Sequence, residues 1–284
     1  MIPAPEPIAV PASYETVPTK DIKVTHYPEG AETATPVVVV TLNRPQKQNA
    51  FTLQMMHDFE TVFPIFDVDE RVKVVVITGA GKTFCAGADL EIGFPSGSAG
   101  RERTMDHRDS TSNTRIGYEG AKYGFVFARR GITMESASSF FLPRLIGYSR
   151  ASYLLTTGAV YPPQSPHFGP LFQETLADAA KVLPRALELA TSIAENVSPL
   201  AAYLNRALMW HNPGTAEGAH LVDSAVLYHM FGARDQEEGV KAFFEKRRPA
   251  FAATLEEDAP PNFPWWTEVD TGSRPKAARA QSKL

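Results

Sequence analysis

The chain has 284 residues, of which 43% are hydrophobic and 21% charged, enough for one or two globular domains with a sizeable core. A formal net charge of −4 implies no basic surface for nucleic acid, and a single cysteine, Cys85, excludes a disulfide framework within the chain. No apolar stretch approaches the ~20 residues of a membrane-spanning helix, Met1 to Pro18 is proline-rich without the apolar centre of a secretory signal, and the seven histidines show no ligand-like pair, so no metal is expected.

In chain order, residues 1–19 read as a loose N-terminal arm. Ile22 and Val24 alternate with polar residues, Val37 to Leu42 is a β-branched run, and Pro28-Glu29-Gly30 lies between them, which predicts a hairpin. Leu53, Met56, Phe59, Phe63 and Phe66 recur at three- and four-residue spacing, predicting an amphipathic helix that Pro64 bends or ends. The run Val72 to Thr78 is a further strand, and strand–helix–strand implies a parallel pair in an α/β layer. Ile92 to Gly120 is rich in Gly, Ser, Arg and Asp without periodicity and reads as a loop or insert. Lys122 to Phe127 is strand-like. A helix is expected within Gly131 to Leu142 and another over Ser149 to Thr157, with Tyr161 to Gly169 a proline-rich loop. Helical patterns then fill Ala186 to Glu195, Pro199 to Trp210, Thr215 to Phe231 and Gln236 to Phe251, and Asn262 to Trp266 is an aromatic patch expected to pack onto the body.

The chemistry centres on Phe84-Cys85-Ala86-Gly87-Ala88-Asp89-Leu90, a loop of small residues that follows a buried strand. Small side chains let a ligand approach the backbone, and a rigidly held N–H stabilises an oxyanion without having to reorient. Gly79-Ala80-Gly81-Lys82-Thr83 lacks the spacing of a phosphate loop, because Val76 stands where the first glycine is required; a dinucleotide fingerprint fails at Phe84.

Thr41-Leu42-Asn43-Arg44-Pro45, Asn49-Ala50-Phe51, Val75-Val76-Ile77-Thr78-Gly79 and Phe84 to Leu90 together resemble the enoyl-CoA hydratase/isomerase (crotonase) family, from about Val37 to about Phe251. The resemblance implies an α/β crotonase-like spiral of ββα units with a C-terminal helical trimerisation region, and a homotrimer or hexamer. It implies that the Ala88 N–H is one of two donors to a thioester oxygen, with Ala86, Gly87, Asp89 and Leu90 at the coenzyme A entrance. Glu135 falls in the slot where the isomerase branch carries a proton-shuttling glutamate; a carboxylate beside an apolar acyl pocket is a competent base near neutrality. The resemblance implies that the hydratase branch uses two glutamates; the slot of one, after Tyr123-Gly124, is Phe127 here, and the other lies in the segment expected to be deleted. Phe244 and Lys246 match residues that approach the CoA adenine and phosphate. Each position also has a plain reading: a strand-to-helix turn at Ala88, a first-turn acid favoured by the helix dipole at Glu135, and a basic helix terminus at Lys246. No cofactor is implied, since CoA is part of the substrate.

One departure stands out. The family's second oxyanion donor is a glycine after another buried strand, expected between Leu90 and Lys122. Only 33 positions separate Asp89 from Lys122, with no apolar run among them. Asp109-Ser110-Thr111-Ser112-Asn113 leads straight into Arg115-Ile116-Gly117-Tyr118, which resembles the far end of the absent unit. The expected organisation is an arm (1–19), an α/β core (20–170) with a deletion near 91–120, a helical region (171–255) and a tail (256–284). That tail ends in Ser282-Lys283-Leu284, a peroxisomal import address read by a receptor. The expected activity is proton transfer at an enoyl-CoA thioester, in β-oxidation or in secondary-metabolite biosynthesis. The alternative is an impaired CoA-thioester-binding paralogue or assembly partner.

Overall fold

A computed structural model describes residues 8–89, 91, 114–134 and 137–267. Chain contacts divide it into two compact units, Met1–Arg101 with Leu189–Leu284, and Glu102–Glu188.

In the first unit, β1 (Ile22–Tyr27) and β2 (Val37–Leu42) form the predicted antiparallel hairpin, in register from Ile22↔Leu42 to Tyr27↔Val37. Helix α1 (Leu53–Val68) carries the chain over to β3 (Val74–Gly79), which lies parallel to β2 in the order β1-β2-β3. Five of the six β2 residues are buried, as suits a central strand covered on both faces, whereas β1 buries only Ile22, Val24 and His26. Thr52 caps α1 by accepting from the Met55 N–H at 2.9 Å. The helix runs past Pro64, so this proline does not end it. Its buried stripe of Met55, Val62 and Phe66 closes on Val24, Val38, Val40 and Leu42.

Residues 13–17 are not loose. Tyr14 is fully buried in this core, and its hydroxyl donates to Asp69 Oδ2 at 2.7 Å. His26 Nε2 accepts from the Tyr14 N–H at 3.2 Å and lies 2.9 Å from Ser13 Oγ. The Arg71 guanidinium holds both Asp69 and the Pro11 carbonyl. A single aromatic anchor in a proline-rich stretch is enough to pin it.

In the second unit, β4 (Ile116–Tyr118) pairs with β7 (Glu174–Leu176), parallel, and β5 (Tyr123–Gly124) with β6 (Val160–Tyr161), antiparallel. The expected strand Lys122 to Phe127 is cut to two residues. Gly124 lies so close to β6 that a Cβ there would sit 2.9 Å from the Ala159 carbonyl, and Phe127–Arg130 then turns as a 3-10 helix closed by Gly131 at φ 69°. Short apolar runs do not distinguish strand from turn by period. Helices α2 (Ser138–Ile146) and α3 (Tyr148–Thr157) meet at Gly147, φ 85°. The proline-rich stretch is partly ordered: Pro166–Leu171 holds two short 3-10 turns kinked at Gly169, and Phe168 and Leu171 enter the core beside Leu142, Ile146 and Leu154.

The chain continues through α4 (Val182–Asn196), α5 (Pro199–Trp210), α6 (Ala216–Met230), α7 (Arg234–Glu245) and a short α8 (Leu255–Asp258). Helix α7 stops at Lys246, φ 54°, rather than reaching Phe251. Glu238 accepts from Arg247 and from the Ala250 N–H, which folds the chain back on the helix. Buried Asp235 accepts from Ser198 Oγ and from the N–H groups of Ala252 and Ala253. The aromatic patch packs as expected: Phe263 and Trp265 join Leu200, Leu204 and Val226, and Trp265 Nε1 donates to the His211 carbonyl at 3.1 Å.

Candidate active site

The loop after β3 is built from backbone contacts. Gly79 admits it: a Cβ there would meet the Phe84 carbonyl at 2.5 Å, so the chain doubles back within van der Waals reach only because the side chain is absent. Phe51 and Ala88 then form a parallel bridge. The Phe51 N–H donates to Gly87 O at 2.8 Å, and the Asp89 N–H donates to Phe51 O at 2.9 Å. Backbone groups alternate sides along an extended segment, so the N–H of Ala88, between those two, points away from Phe51. Ala88 is exposed, and its N–H has no acceptor among the described residues. A fixed, outward, unpaired donor beside Gly87 at φ 92° is what a carbonyl oxygen requires of half an oxyanion site.

Two residues given no role from the sequence hold this segment. Asn49 is fully buried at φ 52°. Its Oδ1 accepts from the Arg44 N–H at 2.8 Å, and its Nδ2 donates to Ala80 O at 2.8 Å and Thr83 O at 2.6 Å. Arg44 Nη1 donates to Asp89 Oδ2 at 2.9 Å and to Ala50 O at 2.7 Å. The Asp89 carboxylate is buried in this ion pair, so it locks the loop rather than facing the opening. Both residues stand inside the quoted Arg44-Pro45 and Asn49-Ala50-Phe51 segments, and that was their only signal. The Cys85 thiol is pushed up from its ordinary pKa by burial, against the Gly87 and Phe51 backbone, and is a poor nucleophile at neutral pH.

Of the other expected site residues, Ala86 and Gly87 are exposed beside Ala88. Phe244 is exposed near the end of α7, and Lys246 is the left-handed residue that terminates it. Leu90, Glu135, most of the proposed deletion region and Ser282-Lys283-Leu284 lie outside the described residues. Phe127 opens its 3-10 turn and places an apolar side chain in the slot that the resemblance assigns to a hydratase-type carboxylate. Among the described residues, no three His, Cys, Asp or Glu side chains are grouped to hold a metal, and no helix is long and apolar enough to cross a membrane.

The chain matches the family described as enoyl-CoA hydratase/isomerase in two stretches, residues 32–113 and 109–254. It is 42% identical over 255 residues to the enoyl-CoA hydratase ACTT3 of Alternaria alternata, covering 78% of this chain and 85% of that protein. It is 26% identical over 255 residues to the mevalonyl-coenzyme A hydratase SIDH of Beauveria bassiana, covering 76% and 91%. A probable enoyl-CoA hydratase/isomerase from Mycobacterium abscessus superposes with a TM-score of 0.72 at 26% identity, covering 82% of this chain and all of that one. In the first of these alignments, 78% of 284 residues is about 222, so about 33 of the 255 positions have no counterpart in this chain. The two matched stretches overlap at residues 109–113.

Proposed function

Since the chain belongs to the enoyl-CoA hydratase/isomerase family, we propose that it binds an acyl-CoA thioester and moves a proton along an unsaturated acyl chain. In this reading the thioester oxygen accepts from the Ala88 N–H. That polarises the carbonyl and makes the α and γ C–H bonds acidic. Glu135 removes a proton at one carbon and returns it at the other while the double bond shifts, so the reaction needs no water and no redox partner. Ala86, Gly87 and Leu90 border the CoA entrance, Asp89 positions the loop through Arg44, and Phe244 and Lys246 meet the CoA adenine and phosphate. The observation that carries the reading is the exposed Ala88 N–H, unpaired among the described residues, on a segment bridged to Phe51.

The single-carboxylate chemistry is favoured over water addition because Phe127 stands in one hydratase slot and the other falls in the absent stretch. The relatives named above carry hydratase names, so the two reactions are compared directly. With a 3-enoyl-CoA substrate, Glu135→Gln keeps shape but removes the base, and isomerisation falls by about 10²–10⁴ with thioester binding little changed. Wild-type turnover in that variant, or faster hydration of a 2-enoyl-CoA than isomerisation of a 3-enoyl-CoA, would defeat this reading.

A second reading rests on the 33 or so missing positions: a thioester binder with feeble turnover. Losing one oxyanion donor costs about 10²–10³ in rate. Assembly as a homotrimer or hexamer is supported by the apolar side chains that α5–α7 leave exposed, Met209, Leu221, Tyr228, Phe231 and Phe243 among them. A peroxisomal location, supported by Ser282-Lys283-Leu284, belongs to the same proposal.

A further inference from the structure

His26 in β1 is fully buried, and both of its ring nitrogens face backbone donors. Nε2 meets the Tyr14 N–H at 3.2 Å and Ser13 Oγ at 2.9 Å, and Nδ1 meets the Thr35 N–H at 3.4 Å. A neutral imidazole has one lone pair, so whichever nitrogen carries the proton, one of these backbone donors finds an acceptor. The imidazolium has no lone pair and sets an N–H against an N–H on both sides of the ring.

The surrounding charges do not offset this. Residues 13–17 bring Glu15, which favours the cation but is exposed, and the Tyr14 phenol, which donates to Asp69. The turn after α1 brings Arg71, which opposes the cation, and Asp69, already committed to Tyr14 and Arg71. Residues 33–36 and β2, where Val38 stands opposite His26, carry no charge. Among the described residues no carboxylate is bonded to the ring. Burial is the largest influence and holds the imidazole below its ordinary pKa.

The ring fastens residues 11–17 through Ser13 and the Tyr14 N–H. Their other ties are the Ala34 N–H to Ala12 O at 2.9 Å, Arg71 to Pro11 O at 2.6 Å, and the Tyr14 ring against Phe66 at 4.8 Å. We propose that His26 is an acid-sensitive latch: neutral, it fastens residues 11–17 to the β1–β2 hairpin, and protonated, it releases them while the sheet stays closed. Tyr14 then leaves the core, and Asp69 and Arg71 lose its hydroxyl and the Pro11 carbonyl. Released, the ring titrates near its ordinary value of about 6.5; fastened, it titrates lower. Between the two values the open form binds the extra proton, so opening grows as pH falls, by up to about tenfold per unit. Asp69, whose pKa lies below the ordinary carboxylate value, does not titrate in that window.

Hydrogen exchange on the full chain tests this from about pH 7.5 to about pH 5.5, on either side of the ordinary histidine value, with correction for the pH dependence of exchange itself. The Tyr14 and Ala34 amides, bonded to His26 and Ala12 O, report the latch, and Val40 in the middle of β2 reports the sheet. Protection at Tyr14 and Ala34 should stay below that at Val40, and should drop by up to about tenfold over the last unit of that range. His26→Gln offers an amide oxygen to the same donors and cannot titrate, so its profile should be flat. If circular dichroism shows that variant unfolded, the wild-type profile decides alone. Protection at Tyr14 that is independent of pH overturns the proposal. So does an equal slope in a folded His26→Gln variant, or protection at Tyr14 equal to that at Val40, which would mean that the segment opens only with the whole fold.

Discussion

Asn49 is the residue whose removal should most disturb the candidate site without touching it. Its side chain makes three buried hydrogen bonds, to the Arg44 N–H, Ala80 O and Thr83 O. Each is worth about 1 kcal/mol net, and each partner left buried without a replacement costs about 1–3 kcal/mol. Asn49 also sits at φ 52°, a left-handed conformation that asparagine tolerates and alanine resists by about 1 kcal/mol. Asn49→Ala should therefore lower unfolding stability by about 3–5 kcal/mol, a large share of the 5–15 kcal/mol usual for a folded chain. Asn49→Gly relieves the backbone term alone and should recover about 1 kcal/mol of that loss. Asn49→Asp keeps the acceptor for Arg44 but sets a carboxylate against two carbonyl oxygens. Urea unfolding followed by circular dichroism measures the totals. Hydrogen exchange at the Ala86 and Asp89 amides, bonded to Gln48 O and Phe51 O, reports on the loop itself and should quicken in all three variants. An alanine variant within about 1 kcal/mol of wild type, the worth of a single net hydrogen bond, with unchanged exchange at those amides would refute the reasoning.

Asp69 offers a pH test. Burial opposes its ionisation, but hydrogen bonds from Arg71 and Tyr14 outweigh burial and hold its carboxyl below the ordinary value. A depressed folded pKa gives stability that is present above the unfolded value near 4 and lost as pH falls through the lower folded one. Asp69→Asn should thus cost about 1–2 kcal/mol at pH 7, shrinking in acid; a pH-independent difference in denaturant midpoint would contradict this. A fluorescent protein fused to the N-terminus should collect in peroxisomes, and deleting Ser282-Lys283-Leu284 should leave it cytosolic; a punctate signal that survives the deletion would refute the address.

The hairpin, α1 and the parallel β2–β3 pair were legible because their signals are local: a valine run, a turn, and apolar residues three and four apart. The Tyr14 anchor was not, because its partner Asp69 lies 55 residues away and the surrounding prolines read as an arm. Asn49 escaped for the same reason, since Ala80 and Thr83 are more than thirty residues on. The helical pattern of the sequence overruns the end of α7, because that end depends on a reversal held by Glu238 and Arg247 and not on a helix-breaking residue. Around the candidate site, small residues announced a close backbone approach. The direction of the Ala88 N–H required the bridge to Phe51, which no spacing reveals.

The most direct measurement compares turnover of a 3-enoyl-CoA by this chain with turnover by the same chain carrying a relative's strand and glycine-rich loop between Asn113 and Arg115. With one donor at Ala88, the natural chain should isomerise weakly. Supplying the second donor should raise the rate by about 10²–10³, and Glu135→Gln should abolish that gain. Equal, efficient turnover by both chains would contradict an oxyanion site reduced to Ala88.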